Sequence, residues 1–198
     1  MATAKKAIDL IRRSGLMRTR DLEANGVSRV ELQRLQEQGI IERVGRGLYG
    51  LPGVVLTEHH TFAEASSLVP AGVICLLSAL RFHGLTTQNP SDVWMAVEKK
   101  AWRPARTEVR LRIVYLSGDA FTAGVEEHDV GGVRIRVYAA AKTVADCFKF
   151  RNSIGVDVAV EALRDFTRRH RGGANELARY ARICRVSRVM QPYMDSLA

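Results

Sequence analysis

The chain has 198 residues, of which 46% are hydrophobic and 26% charged, values typical of a globular protein with one or two small cores. No stretch approaches the roughly 20 apolar residues of a membrane-spanning helix, and we expect no secretory signal, because the first residues form an amphipathic pattern. Thirty Lys and Arg residues against 21 Asp and Glu residues give a net charge of +9, which favours a polyanionic partner such as nucleic acid.

The first 53 residues begin with the signals of three short helices. Apolar residues recur at helical spacing until a Ser-Gly pair at 14–15 predicts the end of the first helix. Thr19 is predicted to cap the second helix. Ser28 is predicted to cap the third, with Glu31 at the third helical position completing a Ser-x-x-Glu capping box.

A β-hairpin is predicted after the third helix, with its two strands at 40–44 and 48–51 and a glycine-rich turn between them. Two helices, a third helix and a hairpin follow one another in this order in a winged helix-turn-helix. We therefore assign residues 1–53 to a winged helix-turn-helix DNA-binding domain, with the boundary at a Pro-Gly pair.

Residues 54–198 are predicted to form a second domain that mixes helices and strands. In chain order the predicted elements are helices at 57–68 and 73–83, strands at 92–97, 111–116 and 133–138, helices at 141–151, 156–169 and 174–182, and a last turn near 186–197. Turn-forming residues separate them. The predicted fold class is therefore α+β, an N-terminal winged helix followed by a mixed α+β domain.

The third helix carries side chains suited to contact bases. At about 100° per residue, Val30 and Arg34 lie nearly opposite Leu32, which we expect to be buried. Gln33 flanks them, and Arg29 lies near the amino end. Arginine can pair bidentately with guanine, glutamine with adenine, and valine can contact a thymine methyl group.

The hairpin turn supplies two further arginines, which suit phosphates or a narrow minor groove. The complete set of predicted DNA contacts is Thr19, Ser28, Arg29, Val30, Gln33, Arg34, Arg43 and Arg46. The alternative is a short helical domain whose charges are merely solvated, or one that binds protein.

A second basic region lies at 164–188, which contains eight arginines and two acids and therefore has a net charge of +6. Additional phosphate or partner contacts are predicted at Arg168, Arg179, Arg182, Arg185 and Arg188. The alternatives are a solvated helix face, contact with the DNA backbone, and docking to an acidic or RNA-bearing partner.

Motifs for metal or catalytic chemistry are weak. Asp92 and Glu98 resemble part of a metal-nuclease pattern, but on one extended strand they would stand about 20 Å apart, too far to share an ion. Neither spaced histidine ligands nor a phosphate loop accompany them. We expect no catalytic residue, metal site or cofactor. An enzyme would need a cluster of carboxylates that binds a metal ion, and the candidate residues for it are Asp92, Glu98, Asp146 and Glu161.

The three cysteines, Cys75, Cys147 and Cys184, are far apart and flanked by apolar residues. Their spacing fits neither a Cys-x-x-Cys pair nor a four-ligand zinc site. We expect buried, reduced thiols and a cytoplasmic protein without a membrane partner.

The segment through Arg46-Gly47-Leu48-Tyr49 resembles the winged-helix domain of AbiEi-type antitoxin regulators, which belong to bacterial abortive-infection, type IV toxin–antitoxin systems. The second domain of that family is similar in the order of its segments and in their pattern of apolar residues to the segments at 73–85, 89–97, 142–151 and 155–163. The resemblance implies a phage-defence repressor that binds inverted repeats of double-stranded DNA in its own promoter. It also implies that the second domain counteracts a nucleotidyltransferase-type toxin without needing a stable complex.

We therefore interpret the chain as a DNA-binding antitoxin and autorepressor, not an enzyme. Two other classes stay open. One is a metal-dependent nuclease or nucleotidyltransferase that uses the α+β domain. The other is an interaction adaptor whose winged helix binds protein.

Overall fold

The computed structural model describes residues 2–45, 47–53, 59–99 and 109–197. Contacts group them into two compact units. Unit 1 comprises the described residues up to Pro70, Val109 and residues 127–135, and unit 2 comprises the rest. The predicted boundary after residue 53 adjoins 54–58, which lie outside the described residues, so the division into 1–53 and 54–198 stays a prediction.

Unit 1 is built on three helices and a small antiparallel sheet. Its elements are α1 (Ala2–Ser14), β1 (Leu16–Arg18), α2 (Thr19–Ala24), α3 (Arg29–Glu37), β2 (Glu42–Gly45), β3 (Leu48–Gly50) and α4 (His60–Leu68). The sheet order is β1-β3-β2. The predicted three helices and hairpin are confirmed. The strand β1 has no counterpart among the predicted elements, because three residues are too few to show an alternating pattern.

The core of unit 1 is formed by the apolar faces of its helices. Its fully or almost fully buried side chains are Ala7, Ile11, Leu22, Val27, Leu32, Leu35 and Ile41. Leu32 and Leu35 are buried as the helical periodicity of α3 predicts. Burial of this face fixes which side of α3 remains exposed.

The remaining chain forms a five-stranded mixed sheet with helices. The elements are β4 (Val73–Ile74), α5 (Leu76–Phe82), β5 (Val93–Glu98), β6 (Leu111–Leu116), α6 (Asp119–Thr122), β7 (Val125–Val130), β8 (Val133–Tyr138), α7 (Ala140–Lys149), α8 (Arg151–Ile154), α9 (Val156–Arg169), α10 (Ala174–Ile183) and α11 (Ser187–Asp195). The strand order is β6-β5-β4-β8-β7. The predicted α+β class is confirmed.

The predicted helix at 73–83 is wrong at its start. Val73 and Ile74 form β4, which pairs antiparallel with β5 and parallel with β8. The helix begins only at Leu76, whose φ is +46°. A run of apolar residues fits a buried strand as well as a buried helix, and here hydrogen-bond partners on both sides stabilise the strand.

The strand β7 has no counterpart among the predicted elements, because its sequence, Val-Glu-Glu-His-Asp-Val, lacks the apolar alternation of a half-buried strand. It lies at the edge of the sheet, where acidic side chains are exposed to solvent. The predicted strands at 111–116 and 133–138 and the helix at 156–169 are confirmed at both ends.

The core of unit 2 contains all three cysteines as buried free thiols, as the sequence predicts. Tyr138 and Phe148 are among its largest fully buried side chains. None of the helices in the described ranges is long and apolar enough to cross a bilayer.

Candidate nucleic-acid interface

The exposed face of α3 is the first candidate site. Ser28 precedes the helix in an extended conformation, and its Oγ accepts a hydrogen bond from the backbone N–H of Glu31 at 3.2 Å, which confirms the predicted cap. With Leu32 buried on one side, Val30 projects from the other with 78% of its surface exposed. It is the most exposed large apolar side chain among the described residues.

Two polar side chains of α3, Gln33 and Arg34, are held by acids of the same helix. Arg34 donates to Glu31 at 2.9 Å, and the side-chain amide of Gln33 donates to Glu37 at 3.0 Å. Both pairs lie on the exposed surface and follow helical spacing. Exposed pairs of this kind contribute little to stability, so their donors can exchange an acid for another acceptor at low cost.

Arg29 is held from the preceding helix. Its Nε donates to one carboxylate oxygen of Glu23 at 2.7 Å and its Nη2 to the other at 3.3 Å. These hydrogen bonds raise the pKa of Arg29. The carboxylate thus holds the guanidinium at the amino end of α3, where base-reading arginines of such helices lie.

The hairpin contributes Arg43, which is exposed and whose Nε donates to the carbonyl of Gly45 at 3.2 Å. The pairing between β2 and β3 shifts register between Arg43 and Gly45, so the strand bends at Val44 just before the turn. The second predicted hairpin arginine, Arg46, lies outside the described residues.

Thr19 does not cap α2 as predicted. The capping position is Arg18, and Thr19 is the first helical residue. Its Oγ donates to the carbonyl of Gly47 at 3.2 Å, and its backbone N–H donates to the same oxygen at 2.8 Å. These two hydrogen bonds engage Thr19 with the hairpin turn instead of with the first turn of α2. Contact between Thr19 and DNA stays a prediction.

Sequence reasoning missed the basic surface of α1. Lys5, Lys6 and Arg13 lie on the surface of α1 together with Leu10 and Asp9. The three cations are exposed, whereas α2 and α3 together hold more acids than bases. The signal that could have found them is the spacing of these cations on the face opposite the buried Ala7 and Ile11.

The arginines at 164–188 fall on three helices of unit 2 with different surroundings. Arg168 and Arg169 share the carboxylate of Asp165, at 2.9 Å and 3.9 Å. The other members of the predicted set, Arg179, Arg182, Arg185 and Arg188, are exposed on α10, on α11 and in the turn between them.

The carboxylates that an enzyme would need are dispersed or engaged. Asp92 directly precedes β5, and Glu98 is its last residue. Glu161 accepts hydrogen bonds from the backbone N–H and the hydroxyl of Thr87. Asp146 is buried in a pair with Lys142. Within the described ranges no group of three potential metal ligands occurs.

A buried ion pair in unit 2 lies outside the predicted sites. Lys142 Nζ lies 2.5 Å from Asp146 Oδ2, and the two side chains are 0% and 1% exposed. Cys184 donates from Sγ to the second carboxylate oxygen at 3.1 Å, and the ammonium lies 4.2 Å from the centre of the Tyr138 ring. Burial raises the pKa of Asp146, and Lys142 opposes that effect. The i, i+4 spacing is the only signal of this pair in the sequence.

The N-terminal region of the chain is similar to a known protein family. Residues 5–52 match the family model described as transcriptional regulator, AbiEi antitoxin. They include α3, the hairpin and most of α1. No curated protein matches the chain. The resemblance predicted from the sequence is confirmed over this region, which is similar to the AbiEi antitoxin family of transcriptional regulators.

Proposed function

We propose that the chain is a cytoplasmic type IV antitoxin that represses its own operon by binding inverted repeats in the promoter. In this proposal α3 enters the major groove as the recognition helix of a winged helix-turn-helix, and the hairpin contacts the flanking backbone. The family match over residues 5–52 supports regulation of transcription.

The exposure of Val30 is the observation that carries this proposal. An apolar side chain that is 78% exposed on a short helix gains nothing in the free protein, because it stays in contact with water. In a major groove it can be buried against the methyl group of a thymine. Arg34 and Gln33, on the same face, supply donors for guanine and adenine.

The charge distribution supports a division of roles between side chains that recognise the base sequence and side chains that attract the phosphate backbone. The arginines of α3 are paired with acids, so they bring little net charge to DNA. Lys5, Lys6 and Arg13 on α1 and Arg43 on the hairpin are exposed and suited to phosphates. Base contacts therefore specify the sequence while the surrounding cations provide affinity.

For the antitoxin activity we propose a nucleotidyltransferase-type toxin as the target, neutralised without a stable complex. The proposal includes no catalytic step by this chain. The burial of Asp146 in its pair with Lys142 supports a regulatory role, since the ammonium group already holds this carboxylate. Co-expression with the toxin should restore growth, and mixing of the two purified proteins should give no co-eluting species.

The DNA-binding proposal is tested with Val30→Ser and a promoter fragment that carries the inverted repeats. We expect operator binding to weaken about tenfold and binding to a scrambled duplex to stay unchanged, because each base-pair contact contributes about 1–3 kcal/mol of discrimination. Val156→Ser is the matched control, since Val156 is also exposed, at 44%, but lies on α9 in unit 2. It should leave both affinities unchanged.

Equal affinity of the unmodified protein for operator and scrambled DNA would overturn the proposal. So would an equal loss for Val30→Ser and Val156→Ser, because the effect would then belong to any exposed valine rather than to the α3 face.

A further inference from the structure

Four exposed arginines follow one another around the end of α10. Arg179 and Arg182 lie about one turn apart on this helix, Arg185 follows it, and Arg188 is the second residue of α11. We call these four residues the arginine strip. Within the described part of the chain, no carboxylate pairs with any of them, in contrast to Arg168 and Arg169 of the same basic region.

Arg185 has a backbone conformation that favours glycine. Its φ is +59°, and the turn is closed by hydrogen bonds from its N–H to the carbonyl of Arg182 at 3.0 Å and from Val186 N–H to Ala181 at 2.8 Å. This pattern is a Schellman motif, in which the left-handed residue is usually Gly because a Cβ is crowded there.

Other helix ends in the protein follow that preference. Gly15, Gly39 and Gly84, with φ between +65° and +75°, lie beyond the ends of α1, α3 and α5. An arginine in the equivalent place strains the backbone. The strained turn adds a further exposed arginine between Arg182 of α10 and Arg188 of α11.

The side chains around the arginine strip indicate which class of partner it can bind. The exposed large apolar residues of the described chain are Val30, Ile40, Tyr115 and Val156, and none lies on α10 or α11. Protein interfaces and membrane-surface helices both bury apolar or aromatic side chains at their centre. Single-stranded nucleic acids are bound by exposed aromatic rings, whereas Tyr180 in this helix is 5% exposed.

Guanidinium groups bind phosphate bidentately, and a row of them without acids suits a regularly charged backbone. Arg179 is held in place by Tyr180, its guanidinium lying 5.5 Å from the ring centre. We propose that the arginine strip binds the phosphodiester backbone of a nucleic-acid duplex, independently of the bases that α3 reads. The duplex is DNA or RNA, since both present the same phosphates.

The test compares two double variants of the full chain with equal loss of charge. Arg182→Gln with Arg188→Gln removes half of the strip, and Arg168→Gln with Arg169→Gln removes the arginines that Asp165 already pairs. Binding to a scrambled 20-base-pair DNA duplex is measured over a range of salt concentrations. The log–log slope should fall by about 1.8 for the strip variant, at about 0.9 per lost contact, and much less for the control. The same titration with an RNA duplex identifies which of the two sources is preferred.

Arg185→Gly is a second test of the strip, in a variant that we expect to fold because glycine favours a φ of +59°. Arg185→Gly should raise the Tm, because it relieves the left-handed strain, and at the same time lower the salt slope by about 0.9. Arg185→Lys keeps both the charge and the strain, and its slope should stay close to that of the unmodified protein.

Equal slopes for the two double variants would overturn the proposal, as would an unchanged slope for Arg185→Gly. Tighter binding of a single strand than of the duplex would overturn it as well. Competition by polyglutamate as effective as by duplex would assign the strip to an acidic protein instead. These measurements use scrambled sequence, so they stay interpretable if α3 proves not to read an operator.

Discussion

Arg29 and Glu23 join α3 to the helix before it through two hydrogen bonds, from Nε to Oε1 at 2.7 Å and from Nη2 to Oε2 at 3.3 Å. Both side chains are at least one third exposed, so the pair contributes little to stability. Its effect is on the charge of the surface that we propose to bind DNA, because it neutralises a cation at the amino end of α3 and fixes its direction.

Releasing Arg29 from Glu23 should make DNA binding less selective for the operator sequence. In Glu23→Gln the guanidinium loses its ionic partner and becomes available to any phosphate. We expect the affinity for scrambled DNA to rise several-fold and the salt slope to steepen by up to about 0.9. The preference for the operator should shrink accordingly, as measured by parallel titrations of the two DNAs.

Asp119→Asn is the control for that experiment, since it makes the same change in net charge at an exposed acid of α6 in unit 2. A gain on scrambled DNA that is as large for Asp119→Asn would show that net charge, not the release of Arg29, is responsible.

Gly132 should be intolerant of any side chain. Its φ is +78°, and an added Cβ would lie 2.7 Å from the backbone oxygen of Leu16 and 2.7 Å from that of Ser14. The adjacent Gly131 carbonyl accepts a hydrogen bond from Leu16 N–H at 2.8 Å, so the chain approaches β1 closely here. We expect Gly132→Ala to reduce the free energy of unfolding by about 2–4 kcal/mol.

Gly39→Ala separates the two causes of that loss. Gly39 has a φ of +67° but nothing within 4 Å of an added Cβ, so only the backbone strain should count, about 1 kcal/mol. Equal losses for both variants in urea denaturation would contradict the close approach of residue 132 to β1.

Lowering the pH should destabilise the folded protein, because the buried side chain of His60 disfavours protonation. The side chain is buried, its Nε2 has no hydrogen-bond partner among the described residues, and burial lowers its pKa. Because the unfolded state takes up a proton at a higher pH than the folded state, the stabilisation is complete above the unfolded pKa, about 6.5. It is lost as the pH falls from there through the folded pKa.

The measurement is the Tm at pH 7 and at pH 5 for the unmodified protein and for His60→Gln, which cannot titrate. We expect the unmodified protein to lose more stability between these two pH values. Parallel losses in the two proteins would assign the acid sensitivity to other groups.

Removing one member of the buried pair in unit 2 should be far more harmful than removing both. Asp146→Ala leaves the ammonium of Lys142 buried without its partner, and we expect a loss of about 3–5 kcal/mol in the free energy of unfolding. Asp146→Leu combined with Lys142→Met replaces the pair by apolar groups and should recover most of that loss. Urea denaturation of both variants measures the difference, and a double variant as unstable as the single one would contradict it.

The sequence by itself determined the elements whose signals are local. Ser28 and Glu31 predict the start of α3, because a capping hydrogen bond joins residues three apart. The apolar spacing of Leu32 and Leu35 predicts the buried face of that helix, and with it the exposure of Val30. The exposed α3 face and the family resemblance therefore follow from the order of the amino acids alone.

Only the tertiary structure decided the features that depend on residues distant in the chain. The strand β1 exists because Leu16 pairs with Gly50, and β4 because Ile74 pairs with both Met95 and Val137. The pairing of Arg29 with Glu23 required α2 and α3 to be placed against each other. Such contacts form between segments whose separation in sequence carries no local signal, so burial and hydrogen bonding across the fold select them rather than propensity or periodicity.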